Sequence, residues 1–82
     1  MAQHVYIVTR YNDTYDEPED IILFSSEKKA RKAIEDTKNL VDRELGSVEE
    51  YRNDRAAAYV TFTNEDNHVI TCSLDLVPQK IY

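Results

Sequence analysis

Two sets of residues alternate with a period of two in three parts of the chain, which are His4–Tyr11, Ala57–Thr63 and Val69–Val77, and in the last two an apolar set alternates with a more polar one. β-branched and aromatic residues are frequent in all three, so each part predicts a β-strand. Between the last two lies Asn64–Asn67, a polar segment of turn-favouring residues. This composition predicts a hairpin in which the two strands pair antiparallel.

A short apolar run, Ile21–Phe24, predicts a further strand after the first one. The segment that joins them, Asn12–Asp20, carries five carboxylates and Pro18. This composition predicts a solvated connection.

A helix is predicted from Ser25 and Ser26 onward, because either hydroxyl can accept from the free N–H groups of a first turn and Glu27 suits the positive end of the helix dipole. Apolar residues and one threonine then recur at steps of three and four, which places them on one stripe of the helix. They are Ala30, Ala33, Ile34, Thr37, Leu40, Val41 and Leu45. Gly46 is suited to end the helix. The pair Ser47 and Glu50 predicts a second short helix, reaching about Arg55.

These elements predict an α+β fold, in which a four-stranded antiparallel sheet carries one main helix on one face, in the order ββα(α)ββ. A chain of 82 residues has room for one domain, so residues 1–82 are assigned to a single one. Pro78 is predicted to end the sheet. One helix covers one face, so the other is left for solvent, a partner or a second copy, and a homodimer is left open.

Composition and charge exclude several classes of function. The only glycine is Gly46, so a glycine-rich phosphate loop is excluded. Ten basic and sixteen acidic residues give a net charge of −6, which disfavours nucleic-acid binding by the whole surface. No apolar stretch is as long as a membrane span, and the only cysteine, Cys72, lies in a strand pattern typical of a buried thiol. A cytoplasmic protein without membrane contact is expected.

The histidines and the cysteine do not occur at the spacings typical of metal sites or of catalytic sites. The two histidines, His4 and His68, have no cysteine or carboxylate at a recognised metal-ligand spacing. Cys72 lies four residues from His68 along one strand, a poor arrangement for a nucleophile and its base. The chain is therefore predicted to be no enzyme, with no metal site and no cofactor.

Aromatic and charged residues of the strands and of the acidic loop predict a protein-binding surface. Six tyrosines in 82 residues is a high share, and tyrosine and arginine are typical of interface hot spots. The surface is expected on the open sheet face and on the acidic loop beside it. The predicted partner-binding residues are Tyr6, Arg10, Tyr15, Asp16, Glu17 and Tyr59.

A second hypothesis places nucleic acid on the helix. Its first two turns contain Lys28, Lys29, Arg31 and Lys32, where the helix dipole disfavours cations. This local basic patch could contact phosphates while tyrosines stack on unpaired bases, as in a regulator of an RNA-linked toxin. A further hypothesis is that carboxylates imitate DNA and bind a basic protein surface. They are those of the acidic loop together with Asp42, Glu44, Glu49, Glu50 and Asp54.

The frame His4–Thr9, followed by the acidic loop and by Ile22–Ala30 with Ala33 and Ile34, resembles many small proteins of tailed bacteriophages. The resemblance covers about the first half of the chain. It implies that the protein binds and blocks or redirects one host protein, such as a defence factor, in the host cytoplasm. No functional residue is carried over from it.

Overall fold

The computed structural model of the protein describes residues 3–75 and 79–81. In this part of the chain there are one helix and six strands. They are β1 (Gln3–Asn12), β2 (Glu17–Phe24), α1 (Glu27–Glu44), β3 (Val48–Asn53), β4 (Ala58–Thr63), β5 (Val69–Leu74) and β6 (Gln79–Ile81). No helix among these residues is long and apolar enough to cross a membrane.

Five strands form an antiparallel sheet in the order β2-β1-β5-β4-β3, and the short β6 pairs with Gln3–Val5 of β1. The helix connects the two edge strands, β2 and β3, and contacts all five strands. The α+β class is therefore confirmed, but the predicted four-stranded sheet is wrong, because the sheet has five strands.

The additional strand is β3, in the segment that was predicted to be a short helix. Ser47 does not cap a helix, since its hydroxyl donates to the carbonyl of Thr63. Val48 then pairs with Phe62 across a β-bulge, and Tyr51 pairs with Val60. The backbone bonds to β4 and the packing of Val48 against the core therefore outweigh the local capping signal.

The connection between β1 and β2 is shorter than the nine residues predicted. β1 continues to Asn12 and β2 begins at Glu17, so only residues 13–16 form the turn. Asp16 has a φ of 55°, in the left-handed region that aspartate tolerates better than most residues. Pro18 and the carboxylates are accommodated in β2 because it is an edge strand with one side unpaired.

The predicted ends of the helix are confirmed. Ser26 is the N-cap, and its hydroxyl accepts from the Lys29 N–H at 3.4 Å. At the other end, Gly46 has a φ of 62° and its N–H donates to the Val41 carbonyl at 2.8 Å.

The core lies between the helix and one face of the sheet. The helix contributes Ala30, Ile34 and Val41, and its two fully buried residues, Ala30 and Ile34, are 0% exposed. The strands contribute Val8, Ala58, Val60, Phe62, Ile70, Cys72 and Leu74. β5 was predicted to reach Val77, but Leu76, Val77 and Pro78 lie outside the described residues. The prediction that the sheet ends at Pro78 is wrong, because β6 follows this residue in the chain and pairs with β1.

Substitution of Ile34 tests this packing. We expect Ile34→Ala to lower the free energy of unfolding by about 2–5 kcal/mol, because the side chain is fully enclosed between helix and sheet. Urea denaturation measures the change. The matched control is Leu40→Ala on the same helix, where 46% exposure predicts a loss below about 1 kcal/mol. Ile34→Val, with an expected cost of about 0.5–1.5 kcal/mol, keeps the test usable if Ile34→Ala does not fold. Equal losses for Ile34→Ala and Leu40→Ala would contradict this account of the core.

Candidate functional site

The sheet has one face covered by the helix and one that no described element covers. Buried Val8, Val60 and Cys72 point to the helix, so their neighbours along each strand point away from it. We call this uncovered side the open sheet face. It consists of Val5, Ile7, Thr9, Tyr11, Ile21, Leu23, Glu50, Arg52, Tyr59, Thr61, Thr71 and Ser73.

The expectation that Tyr6, Arg10 and Tyr59 share the open sheet face is wrong for two of them. Tyr6 and Arg10 have the same parity on β1 as buried Val8, so both lie on the helix side, and Tyr6 packs against the core. Tyr59 does lie on the open sheet face, where it pairs with Ser73 of β5. The tyrosine that β1 contributes to this face is Tyr11, which the sequence reasoning missed.

Hydroxyl groups occupy the centre of the open sheet face. The hydroxyls of Thr61 and Thr71 are 3.1 Å apart, and the Thr71 hydroxyl donates to the carboxylate of Asp13. The Tyr59 hydroxyl donates to the carboxylate of Glu50, and this bond raises the pKa of Tyr59 above its ordinary value. The centre of the face is thus a fixed pattern of donors and acceptors.

The β1 and β2 side of the same face is apolar. Leu23 is 64% exposed and Ile21 is 58% exposed, and they pair across the strands with Ile7 and Thr9. Sequence reasoning assigned these residues to a strand but not to a site. A signal was present, because Ile21–Phe24 is apolar at every position and a strand with one solvated face is expected to alternate.

The acidic turn is tied to the sheet through its side chains. The Tyr11 hydroxyl donates to the carboxylate of Asp16, which raises the pKa of Tyr11. Tyr15 is 61% exposed, and its ring lies edge-on to His68 with the ring centroids 4.4 Å apart. Glu17 is exposed, and its side chain forms no hydrogen bond within residues 3–75 and 79–81. Of the six predicted partner-binding residues, only Tyr15, Asp16 and Glu17 lie next to one another.

Arg10 belongs to a polar cluster at the turn end of the sheet. Its guanidinium lies 2.9 Å from Glu19 and 5.6 Å from the centre of the Phe62 ring. Asn12 is buried, and its amide nitrogen lies 3.2 Å from Glu19 and 3.3 Å from His68. Each of these polar side chains has at least one hydrogen-bond partner inside the protein, so the cluster stabilises the fold.

A groove of about 350 Å³ lies beside this cluster, between the end of the helix and β4. Its lining includes two leucines that are partly exposed, Leu40 and Leu45, together with Phe62. Glu44 and Asp66 add negative charge to its lining. Glu65 and the cation Arg10 also line it, so the groove combines apolar surface with charged side chains of both signs.

The residues of the predicted basic patch have different environments. Arg31 is used inside the protein, since it donates to Asn53 at 3.0 Å and to the Asp54 carbonyl at 2.7 Å. Lys32 forms an ion pair with Asp36 at 3.4 Å. Lys28 and Lys29 are exposed and form no ion pair with any described residue. The patch is thus reduced to two free lysines, beside carboxylates of the same helix.

The predicted buried thiol is confirmed. Cys72 is 5% exposed, and burial raises the pKa of its thiol above the ordinary value. Within residues 3–75 and 79–81, no three His, Cys, Asp or Glu side chains are grouped closely enough to hold a metal ion.

The bonds to Glu19 predict a pH dependence of stability. Hydrogen bonds from Arg10 and then from Asn12 hold the pKa of Glu19 below its ordinary value of 4.5. A carboxyl whose pKa is lower in the folded than in the unfolded state stabilises the fold above the unfolded pKa, and this contribution is lost as the pH falls through the folded pKa.

We therefore expect Glu19→Gln to be less stable than the wild type at neutral pH, and the difference to shrink between about pH 6 and about pH 3. Urea denaturation at several pH values measures it. Glu17→Gln removes the same charge from an exposed side chain without hydrogen bonds, and it serves as the control. A difference between wild type and Glu19→Gln that does not change with pH would contradict the assignment.

Comparison with known proteins gives no further assignment: no family model, no curated protein and no solved structure matches this chain.

Proposed function

We propose that this chain is a small non-enzymatic binding protein, and that the open sheet face binds one protein partner. The observation that supports this most directly is a five-stranded sheet with one uncovered face. This face offers exposed aliphatic side chains at one side and hydroxyl groups in its centre. Apolar contact supplies binding energy, and a fixed pattern of hydrogen-bonding groups supplies orientation.

Charge supports a protein rather than a nucleic acid as the partner of this face. Among the residues named for this face, Arg52 is the only cation, and its guanidinium lies 2.7 Å from the carboxylate of Asp54. Glu50 adds a negative charge next to it. Phosphate groups are bound by unpaired lysine or arginine side chains, which the described residues of this face do not offer.

The proposed role is stoichiometric binding of a host protein by a phage accessory protein in the host cytoplasm. The resemblance of the first half of the chain to small phage proteins supports this setting. A host defence factor is the kind of target that such a protein would block. Binding, rather than turnover, would then carry the function.

The test is affinity capture from a bacterial lysate with tagged protein, with and without nuclease, followed by mass spectrometry. We expect one dominant protein that survives nuclease and is reduced at least about tenfold by Thr61→Lys, because a cation replaces a small hydroxyl in the centre of the open sheet face. Glu35→Gln, on the exposed side of the helix, changes the charge by the same amount and should leave capture unchanged.

Loss of all bound proteins on nuclease treatment would contradict the proposal and favour the nucleic-acid hypothesis, which was made on Lys28, Lys29, Arg31 and Lys32. A partner that resists nuclease and binds Thr61→Lys as it binds the wild type would contradict the open sheet face as the site.

A further inference from the structure

β2 is an edge strand with three consecutive exposed aliphatic side chains. Ile21, Ile22 and Leu23 are 58%, 44% and 64% exposed. The strand pairs with β1 along one side only, so its other side has no strand partner among the described residues. A free apolar edge is a template for pairing with another strand, and proteins usually protect such edges with charge, proline or bulges.

The protection of β2 is confined to its first half. Glu17, Pro18, Glu19 and Asp20 precede the aliphatic residues, and a bulge lies opposite Arg10 and Tyr11. No charged residue follows until Glu27, which begins the helix and is succeeded by Lys28 and Lys29. The edge therefore has an acidic start, an apolar middle and a basic region just beyond its end.

We propose that two copies of the chain pair antiparallel through their β2 edges, which joins two five-stranded sheets into one sheet of ten strands. An antiparallel pair of identical strands has a two-fold axis perpendicular to the sheet, so the contact closes as a symmetric dimer. The aliphatic residues of one copy then meet those of the other, and the acidic start of each strand approaches the basic region of its counterpart.

Charge complementarity favours a second copy over a foreign strand as the occupant. Lys28 and Lys29 form no ion pair with any described residue, and they lie in the first turn of the helix, where the dipole disfavours cations. Antiparallel pairing places Glu17 and Asp20 of the second copy near them. The β2 edge thus has an acidic region and a basic region, and each can pair with the opposite region of a second copy.

The backbone at the centre of the edge agrees with this pairing. The N–H of Ile21 is bonded to the carboxylate of Asp20 at 2.9 Å and not to another strand. In the dimer the neighbouring strand accepts from this N–H, and the exposed carboxylate of Asp20 turns toward the lysines of the second copy. Both helices lie on one side of the ten-stranded sheet, and both open sheet faces lie on the other.

Sedimentation equilibrium of the purified chain over a range of concentrations tests the proposal. We expect a reversible equilibrium between 9.6 kDa monomers and dimers of twice that mass. The dimer dissociation constant should rise as salt is added, because salt screens the charged contacts. Leu23→Lys should raise the dimer dissociation constant at least about tenfold, because it places two cations in an apolar contact. Leu40→Lys makes the same change at a partly exposed leucine of the helix and should not affect it.

Exchanging the charges of the acidic and the basic region distinguishes an effect on dimer formation from an effect on folding. Glu17→Lys with Asp20→Lys should weaken the dimer at low salt, and the addition of Lys28→Glu and Lys29→Glu should restore it, because the two regions again have opposite charge. The hydrogen bond from Ile21 to Asp20 is absent from both sets of variants, so its loss does not explain a rescue.

A chain that stays monomeric at all concentrations would overturn the proposal, whether or not β2 takes a strand from another protein. A dimer that survives Leu23→Lys and is lost in Leu40→Lys would also overturn it, and would place the contact at the groove. The inference does not rest on the proposed function, since it needs no other protein, and Thr61→Lys should leave the dimer unchanged.

Discussion

One helix of 18 residues has to enclose the core of a five-stranded sheet, and most features of this protein follow from that constraint. The helix joins one edge strand to the other, so it crosses all the strands on a single face. Close approach is possible because Ala30 is small and fully buried beside Ile34. Because the only described helix lies on one face, no described element packs on the opposite face, and the edge strands β2 and β3 each have a described neighbouring strand on one side only.

The parts of the fold that local chemistry determines could be predicted from the sequence. Ser26 and Gly46 define the ends of the helix through bonds to residues within a few positions, and those bonds are visible as a pattern in the chain. β3 could not be predicted in this way. Its residues carry a helix-start signal, and what determines their conformation is the pairing of Val48 and Tyr51 with β4 together with the docking of Arg31 on Asn53. Such contacts between distant residues leave no local trace.

The candidate site was predicted less well than the fold, for a related reason. In β1 both sets of alternating residues contain apolar and aromatic side chains, with Val5, Ile7 and Tyr11 on one and Tyr6 and Val8 on the other. A period of two shows that there are two faces, but it identifies the buried one only when their polarity differs. The burial of Val8 under the helix decides the question, and it moves Tyr6 and Arg10 away from Tyr59. The acidic turn could be located from composition, whereas its bonds to Tyr11 and Thr71 depend on strand register.

The exposed aliphatic residues of β2 connect the open sheet face with the free edge. Ile21 and Leu23 point to the open sheet face, while Ile22 points to the helix side, yet all three are more than 40% exposed. Their solvent exposure has a hydrophobic cost that no described contact within a single chain removes. A second copy at the edge would cover part of this surface and would leave the hydroxyl groups of β4 and β5 accessible. Pairing would also place two open sheet faces side by side, so that a partner could contact both copies at once and bind more tightly through two linked sites than through one. Dimerisation would therefore use the β2 edge and part of its aliphatic surface, and partner binding would use the rest of the open sheet face.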